Sequence, residues 1–323
     1  MIITKQNQEL IPNLTLTDIV ASTTRDQSNK AFLQTASTLC EFSEMLNDIP
    51  WIEANGDDHH ETTLQPITKE NANNHRVAVQ VYYEHLIREA FIKDEIININ
   101  KTDRLWRSSE ERPILEQLSH EFEKMLFDCE HNFSGFSKNF STLSDRFNSA
   151  KNIIDAGGRE GDLTSIWLVG WSPNTCHCVY PRNTSAGLTI DDNGPVYILS
   201  HGYKTTYSWK YSFILRDWRY VVRIANIQKS LLHPIAPDVN SHEKGHNLYE
   251  LMLRAQSLVP TLAGARFAFY GNRDVETYLR LQCANTRSIL VHQETKDQRI
   301  VTMFDGIPFR RVDALAWGEQ QVK

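Results

Sequence analysis

DAGGREGDLTSIWLVGWSPNTCHCVYP, residues 155–181, and YKTTYSWKYSFILRDWRYVVRIANI, residues 203–227, are the stretches whose reading decides the fold. Within the first, Ile166–Trp171 is an unbroken apolar run with turn signals on both sides, Asp155-Ala156-Gly157-Gly158 before it and Ser172-Pro173-Asn174 after it. A short apolar run bounded in this way reads as a strand buried on both faces, inside a sheet. The second stretch alternates: Tyr207, Trp209, Tyr211, Phe213 and Leu215 fall on one face, Thr206, Ser208, Lys210, Ser212 and Ile214 on the other. Period two with aromatic and β-branched filling predicts a strand with one wet side. Arg216 and Asp217 interrupt the pattern, and Trp218–Ile224 is expected to resume as a second strand of a large twisted sheet.

Composition sets the class around those strands. With 323 residues, 41% hydrophobic and 23% charged, the chain can bury one or two sizeable cores and is neither disordered nor collagen-like. No stretch approaches the ~20 apolar residues that cross a bilayer, and MIITKQNQEL at the N-terminus lacks the apolar core of a signal peptide. Synthesis in a reducing cytoplasm is the expectation. The cysteines, Cys40, Cys129, Cys176, Cys178 and Cys283, are odd in number and scattered, so free thiols are expected rather than a disulfide framework. A net charge of −6 gives the chain no general attraction for nucleic acid, because phosphate neutralisation supplies most non-specific affinity.

The rest of the chain falls into legible pieces. Residues 1–49 are polar and then amphipathic, with Phe32, Leu33, Ala36, Leu39, Phe42 and Leu46 on one helical face. From Pro50 to Asn98 the sequence is polar, turn-rich at Asn55-Gly56-Asp57 and alternating at Val77, Val79, Val81 and Tyr83, which reads as a long extended loop or hairpin. Arg104–Phe127 is the best long helix: Ser109, Glu110 and Glu111 supply an N-terminal signal, Pro113 is placed near the first turn, and Ile114, Leu118, Phe122 and Met125 form a stripe. A third helix is predicted over Asn247–Leu258, where Asn247 and Glu250 have capping-box spacing and Pro260 ends it. Asp274–Cys283 is a fourth, with Val275, Tyr278 and Leu279 on one side. Ser288–His292, Arg299–Phe304 and Phe309–Val312 read as short strands, with Asp305-Gly306-Ile307-Pro308 as the turn. The class is α+β.

These same residues carry a family resemblance. The two opening stretches, together with FAFYGNRDVETYLRL at 267–281, FDGIPFRRVDAL at 304–315, TLTDIVAS at 15–22 and PWIEANGDDHHETT at 50–63, resemble the major capsid proteins of short-tailed bacteriophages with the HK97-like shell fold. The resemblance covers most of residues 13–315. It implies an N-terminal arm (1–49), an extended loop lying across a neighbouring subunit (50–98), a peripheral-domain spine helix (99–130), and an axial domain with strands returning to the peripheral one (131–323). It also implies a permuted connection, because the segment like 267–315 precedes the one like 209–224 in many proteins of this fold. The function implied is self-assembly of pentamers and hexamers into an icosahedral head in the virion, around double-stranded DNA bound without sequence specificity. Scaffolding and portal proteins are the implied partners, with a cement protein left open. No catalytic, cofactor-binding or metal-ligating residue is assigned, and no cofactor is implied.

One motif points elsewhere. His242-Glu243-Lys244-Gly245-His246 is a formal H-E-x-x-H, which on a helix sets two imidazoles on one face to share zinc while the glutamate activates water. A zinc hydrolase using His242, His246 and Glu243 is therefore the alternative function. Against it, Gly245 weakens a helix by roughly 1 kcal/mol relative to Ala, the helix-poor Pro237–Ser241 precedes it, and Asn240 with Glu243, or Asn247 with Glu250, explains the region better as a helix entry. Asp57-Asp58-His59-His60-Glu61 reads as a solvated turn beside Asn55-Gly56. Cys176-His177-Cys178 has no second ligand pair at zinc spacing, and alternation on a strand turns His177 away from both thiols. Phosphate-cradling, nucleophile-elbow and dinucleotide motifs are absent from the sequence.

Overall fold

The computed structural model describes residues 43–54, 60–64, 76–80, 83–93, 104–127, 152–159, 161–182, 184, 186–196, 202–233, 245–286, 290–296 and 299–322. In chain order these form α1 (Met45–Asp48), β1 (Trp51–Glu53), β2 (His60–Leu64), β3 (Arg76–Gln80), β4 (Glu84–Lys93) and α2 (Arg104–Phe127). There follow β5 (Ile153–Asp155), β6 (Leu163–Trp171), β7 (Cys176–Tyr180), β8 (Leu188–Val196), β9 (Gly202–Leu215) and β10 (Val221–Gln228). The chain ends with α3 (Leu248–Leu258), β11 (Arg266–Gly271), α4 (Arg273–Thr286), β12 (Val291–Lys296), β13 (Arg299–Phe304) and β14 (Ile307–Arg311). Among the described residues, no helix is long and apolar enough to cross a membrane.

A 12-stranded sheet runs β12-β13-β14-β11-β6-β7-β9-β4, with β1 on β7, β10 and then β5 beside β6, and β8 on β9; β2 and β3 pair separately. Every residue of β6 is buried, because both faces of the sheet are covered there. Its odd-numbered residues Trp167, Val169 and Trp171 join a core with Leu118, Phe122 and Leu126 of α2. Its even-numbered Ile166 and Leu168 join a second core with Leu251, Met252, Val275 and Leu279 of α3 and α4. The alternation predicted for β9 gives the same result on one face: Tyr207, Trp209 and Tyr211 are all buried beneath α2. Phe122 stacks on Trp209 at 5.1 Å, Trp51 of β1 packs against both at 5.8 and 5.7 Å, and the Trp209 indole N–H donates to the Ala186 carbonyl at 3.0 Å. Aromatic packing of this kind adds to plain area burial.

Several expectations shift. Trp218–Tyr220 is a 3-10 turn and the strand begins at Val221, because the Asp217 carboxylate accepts the Arg219 N–H at 3.1 Å and caps a turn. The α2 helix starts at Arg104, so Ser109 is not its entrance and Pro113 lies inside it. A proline there removes one backbone hydrogen bond; burial of Leu115, Leu118, Phe122 and Leu126 beyond it holds the helix together. The strand expected at Ser288–His292 runs Val291–Lys296 instead, in register with β13 from Val291↔Phe304 to Lys296↔Arg299. Asp305 and Gly306, at φ +48° and +78°, make the two-residue turn between β13 and β14, the left-handed pair that such a hairpin demands. The amphipathic N-terminal stripe from Phe32 to Phe42 lies outside the described residues, and only Leu46 of it falls on α1.

Candidate functional site

The N-terminal segment is fastened to strands almost at the other end of the chain. Arg310 on β14 grips Asp48 with one edge of its guanidinium, Nε to Oδ2 at 3.0 Å and Nη2 to Oδ1 at 3.1 Å, while Nη1 reaches Glu44 Oε2 at 2.9 Å. The Tyr270 hydroxyl donates to Asp48 Oδ2 at 3.0 Å and receives the Trp171 indole N–H at 2.7 Å. Burial works against the charged guanidinium, yet Asp48, Tyr270 and Glu44 outweigh it and its pKa is raised. Forked Arg–carboxylate pairs of this sort fix geometry as well as charge.

Beside this clamp, a groove of about 650 Å³ separates α2 from the root of the N-terminal segment, lined by Glu44, Glu116, His120, Glu123, Arg311 and Asp313 among others. Glu123 lines it too, and burial, reinforced by Asp313 and opposed by the nearby Ser43 hydroxyl, pushes its pKa up to about 7. Asp313 is held by Arg273 at 2.5 Å and by Arg311 at 3.4 Å, which keep its carboxyl below the ordinary range.

The C-terminal segment is latched in the same manner. Arg223 of β10 lies over the Trp167 ring at 5.0 Å and donates to Ser165 Oγ at 2.9 Å and Glu319 Oε2 at 2.8 Å. Asn226, at φ +59° in the bulge of β10, exchanges hydrogen bonds with the Val322 backbone, Nδ2 to O and N to Oδ1, both 2.9 Å. Asparagine tolerates that left-handed backbone better than most residues. No pattern in the sequence signals either latch.

Of the H-E-x-x-H residues, only Gly245 and His246 are among those described. His242 and Glu243 lie outside the described residues. His246 is buried, its Nε2 accepts the Gln228 N–H at 2.8 Å, and a further hydrogen bond ties the ring to the Ala156 backbone, so the lone pair a zinc ion would need is already engaged. Its pKa is lowered, first by burial. Gln282 secures the same corner, donating from Nε2 to the His233 and His246 carbonyls and accepting the Leu248 N–H. The segment is the entrance to α3, as the capping pair predicted: the Asn247 side chain accepts the Glu250 N–H at 3.4 Å. Of the acidic run at 57–61, His60 and Glu61 lie on β2 and the remainder lies outside the described residues. Cys176, His177 and Cys178 are wholly buried in β7, where burial raises both thiol pKa values. Among the described residues, no group of three or more His, Cys, Asp and Glu side chains is placed to hold a metal ion.

Comparisons with known proteins bear on what such a chain does. The model of the family described as Major capsid protein GP7 matches residues 26–323. Curated protein sequences give no match. Among solved structures, that of bacteriophage Epsilon15 is 20% identical, with 85% of this chain and 88% of that chain covered at a TM-score of 0.56. The bacteriophage JBD30 capsid is 8% identical over 82% of this chain and 88% of that one, with a TM-score of 0.45. The Epsilon15 likeness carries the fold, an α+β architecture of the HK97-like capsid type. With a family model spanning residues 26–323, the chain belongs to the major capsid protein GP7 family and is a capsid-forming protein.

Proposed function

We propose that this protein is the repeating subunit of an icosahedral bacteriophage head, arranged as pentamers and hexamers around double-stranded DNA. The observation that carries the reading is the family match over residues 26–323. Two structural features support it. Among the described residues, β2 and β3 pair with each other and not with the large sheet, which suits a segment that lies across a neighbouring subunit as part of an extended loop within residues 50–98. The root of the N-terminal segment is clamped by Arg310, which gives an arm formed by residues 1–49 a fixed point of departure. Many modest contacts of this kind, repeated around closed symmetry, become collectively strong.

We take the role to be structural, without catalysis, and the residues 104–127 helix to be the spine of the peripheral domain. Assembly in the bacterial cytoplasm with scaffolding and portal proteins follows from that role, and a cement protein on the outside is compatible with it. A net charge of −6 suits a wall that faces packaged DNA without gripping it. Expression of the chain with its scaffolding protein, followed by sedimentation, tests the proposal: fast-sedimenting closed particles are expected. Protein that stays monomeric under every assembly condition, and carries stoichiometric zinc with hydrolytic activity, would overturn it.

A further inference from the structure

Glu123 sits where three segments meet. It projects from α2 into the groove, its side chain faces Ser43 and Glu44 at the root of the N-terminal segment, and Arg311 and Asp313 line the same groove from the stretch after β14. On its own helix, Glu116 and His120 line the groove on the preceding turns. The residue is only 5% exposed. The arginines nearby are engaged with other carboxylates: Arg310 with Asp48 and Glu44, Arg273 and Arg311 with Asp313. Glu123 has no cationic partner among the described residues. A buried carboxylate without a counter-charge is costly, whereas the neutral acid is cheap to bury.

We propose that Glu123 is a proton-operated catch between α2 and the root of the N-terminal segment, closed when its carboxyl is neutral and loosened when it ionises in its buried place beside Asp313. The raised pKa, from 4.5 to about 7 with burial as the main cause, sets the range over which the catch works. The folded chain holds this proton more tightly than the unfolded chain does. Its stabilising contribution is therefore complete below about pH 4.5 and is lost as pH rises through about 7. Present in every copy of a shell, such a joint would make the hold on the N-terminal segment respond to protons at many places at once.

Urea unfolding of the free subunit tests this without requiring assembly, so failure of the shell proposal and failure of this one are distinguishable. Between about pH 5.5 and about pH 8.5, the unfolding equilibrium constant of the parent should rise about 30-fold more than that of Glu123→Gln. The amide keeps size and hydrogen bonding but does not ionise. Parallel pH profiles for the two would overturn the proposal, since a merely structural role shifts the midpoint equally at every pH. Should the Gln variant fail to fold, Ser43→Ala serves. It removes the neighbouring hydroxyl that favours the charged form, so the falling limb should move to higher pH, and an unmoved limb refutes the catch.

Discussion

Arg310→Met is the substitution whose cost the structure defines most closely. It leaves Asp48 and Glu44 without their cation, at side-chain exposures of 13% and 34%. Asp48 is the more serious loss: it is nearly shut from water, and among the described residues the Tyr270 hydroxyl is the partner that remains to it, at 3.0 Å. Removing one partner of a buried pair costs about 3–5 kcal/mol; with Glu44 half open to solvent and the tyrosine bond intact, about 3 kcal/mol is expected for Arg310→Met. Lys204→Met, which breaks the exposed pair with Glu89, should cost at most about 1 kcal/mol. Adding Asp48→Asn to Arg310→Met should recover a good part of the loss, because no buried charge is then left alone. Urea unfolding of the purified subunit at neutral pH measures all four proteins, with unchanged denaturant slopes indicating that only stability has moved. If Arg310→Met proves no costlier than Lys204→Met, the clamp is not holding the N-terminal segment.

Other substitutions probe the remaining elements. Trp167→Ala, at a side chain with no solvent exposure packed against Phe127 and Arg223, should cost about 3–5 kcal/mol, and an unchanged unfolding midpoint would contradict the placement of β6. Asn247→Ala should cost about 0.5–2 kcal/mol through loss of the α3 cap, read as a lowered urea midpoint, while Asn247→Asp should be nearly neutral. Replacing residues 60–80 by a short Gly-Ser linker should leave circular dichroism and thermal unfolding close to the parent while abolishing closed particles. Normal particle yield from that variant would show that the hairpin plays no part between subunits.

The fold was legible where burial leaves a local pattern. β6 is apolar without alternation because both of its faces are covered, and β9 alternates because one face carries Thr206, Ser208 and Lys210 toward water. The α2 stripe was read one residue off at both ends, as Ile114 and Met125, where Leu115 and Leu126 are the more deeply buried; a broad helical face tolerates either reading. Trp218 misled because its burial comes from a capped turn, so an apolar residue there looked like strand. The contacts that fasten the two ends of the chain were out of reach. Arg310 meets Asp48 262 positions away, and Arg223 meets Glu319 at 96, and no local spacing encodes either encounter. The His242–His246 motif shows the converse: a perfect local spacing whose described histidine is spent on the backbone of β10.

Electron microscopy of the protein assembled with its scaffolding partner tests the central claim most directly. Closed icosahedral shells are expected, with the β2–β3 hairpin of each subunit lying across a neighbour and the Arg310–Asp48 clamp intact within each subunit. Particles that never close, or a purified monomer that hydrolyses peptides in a zinc-dependent manner, would contradict it.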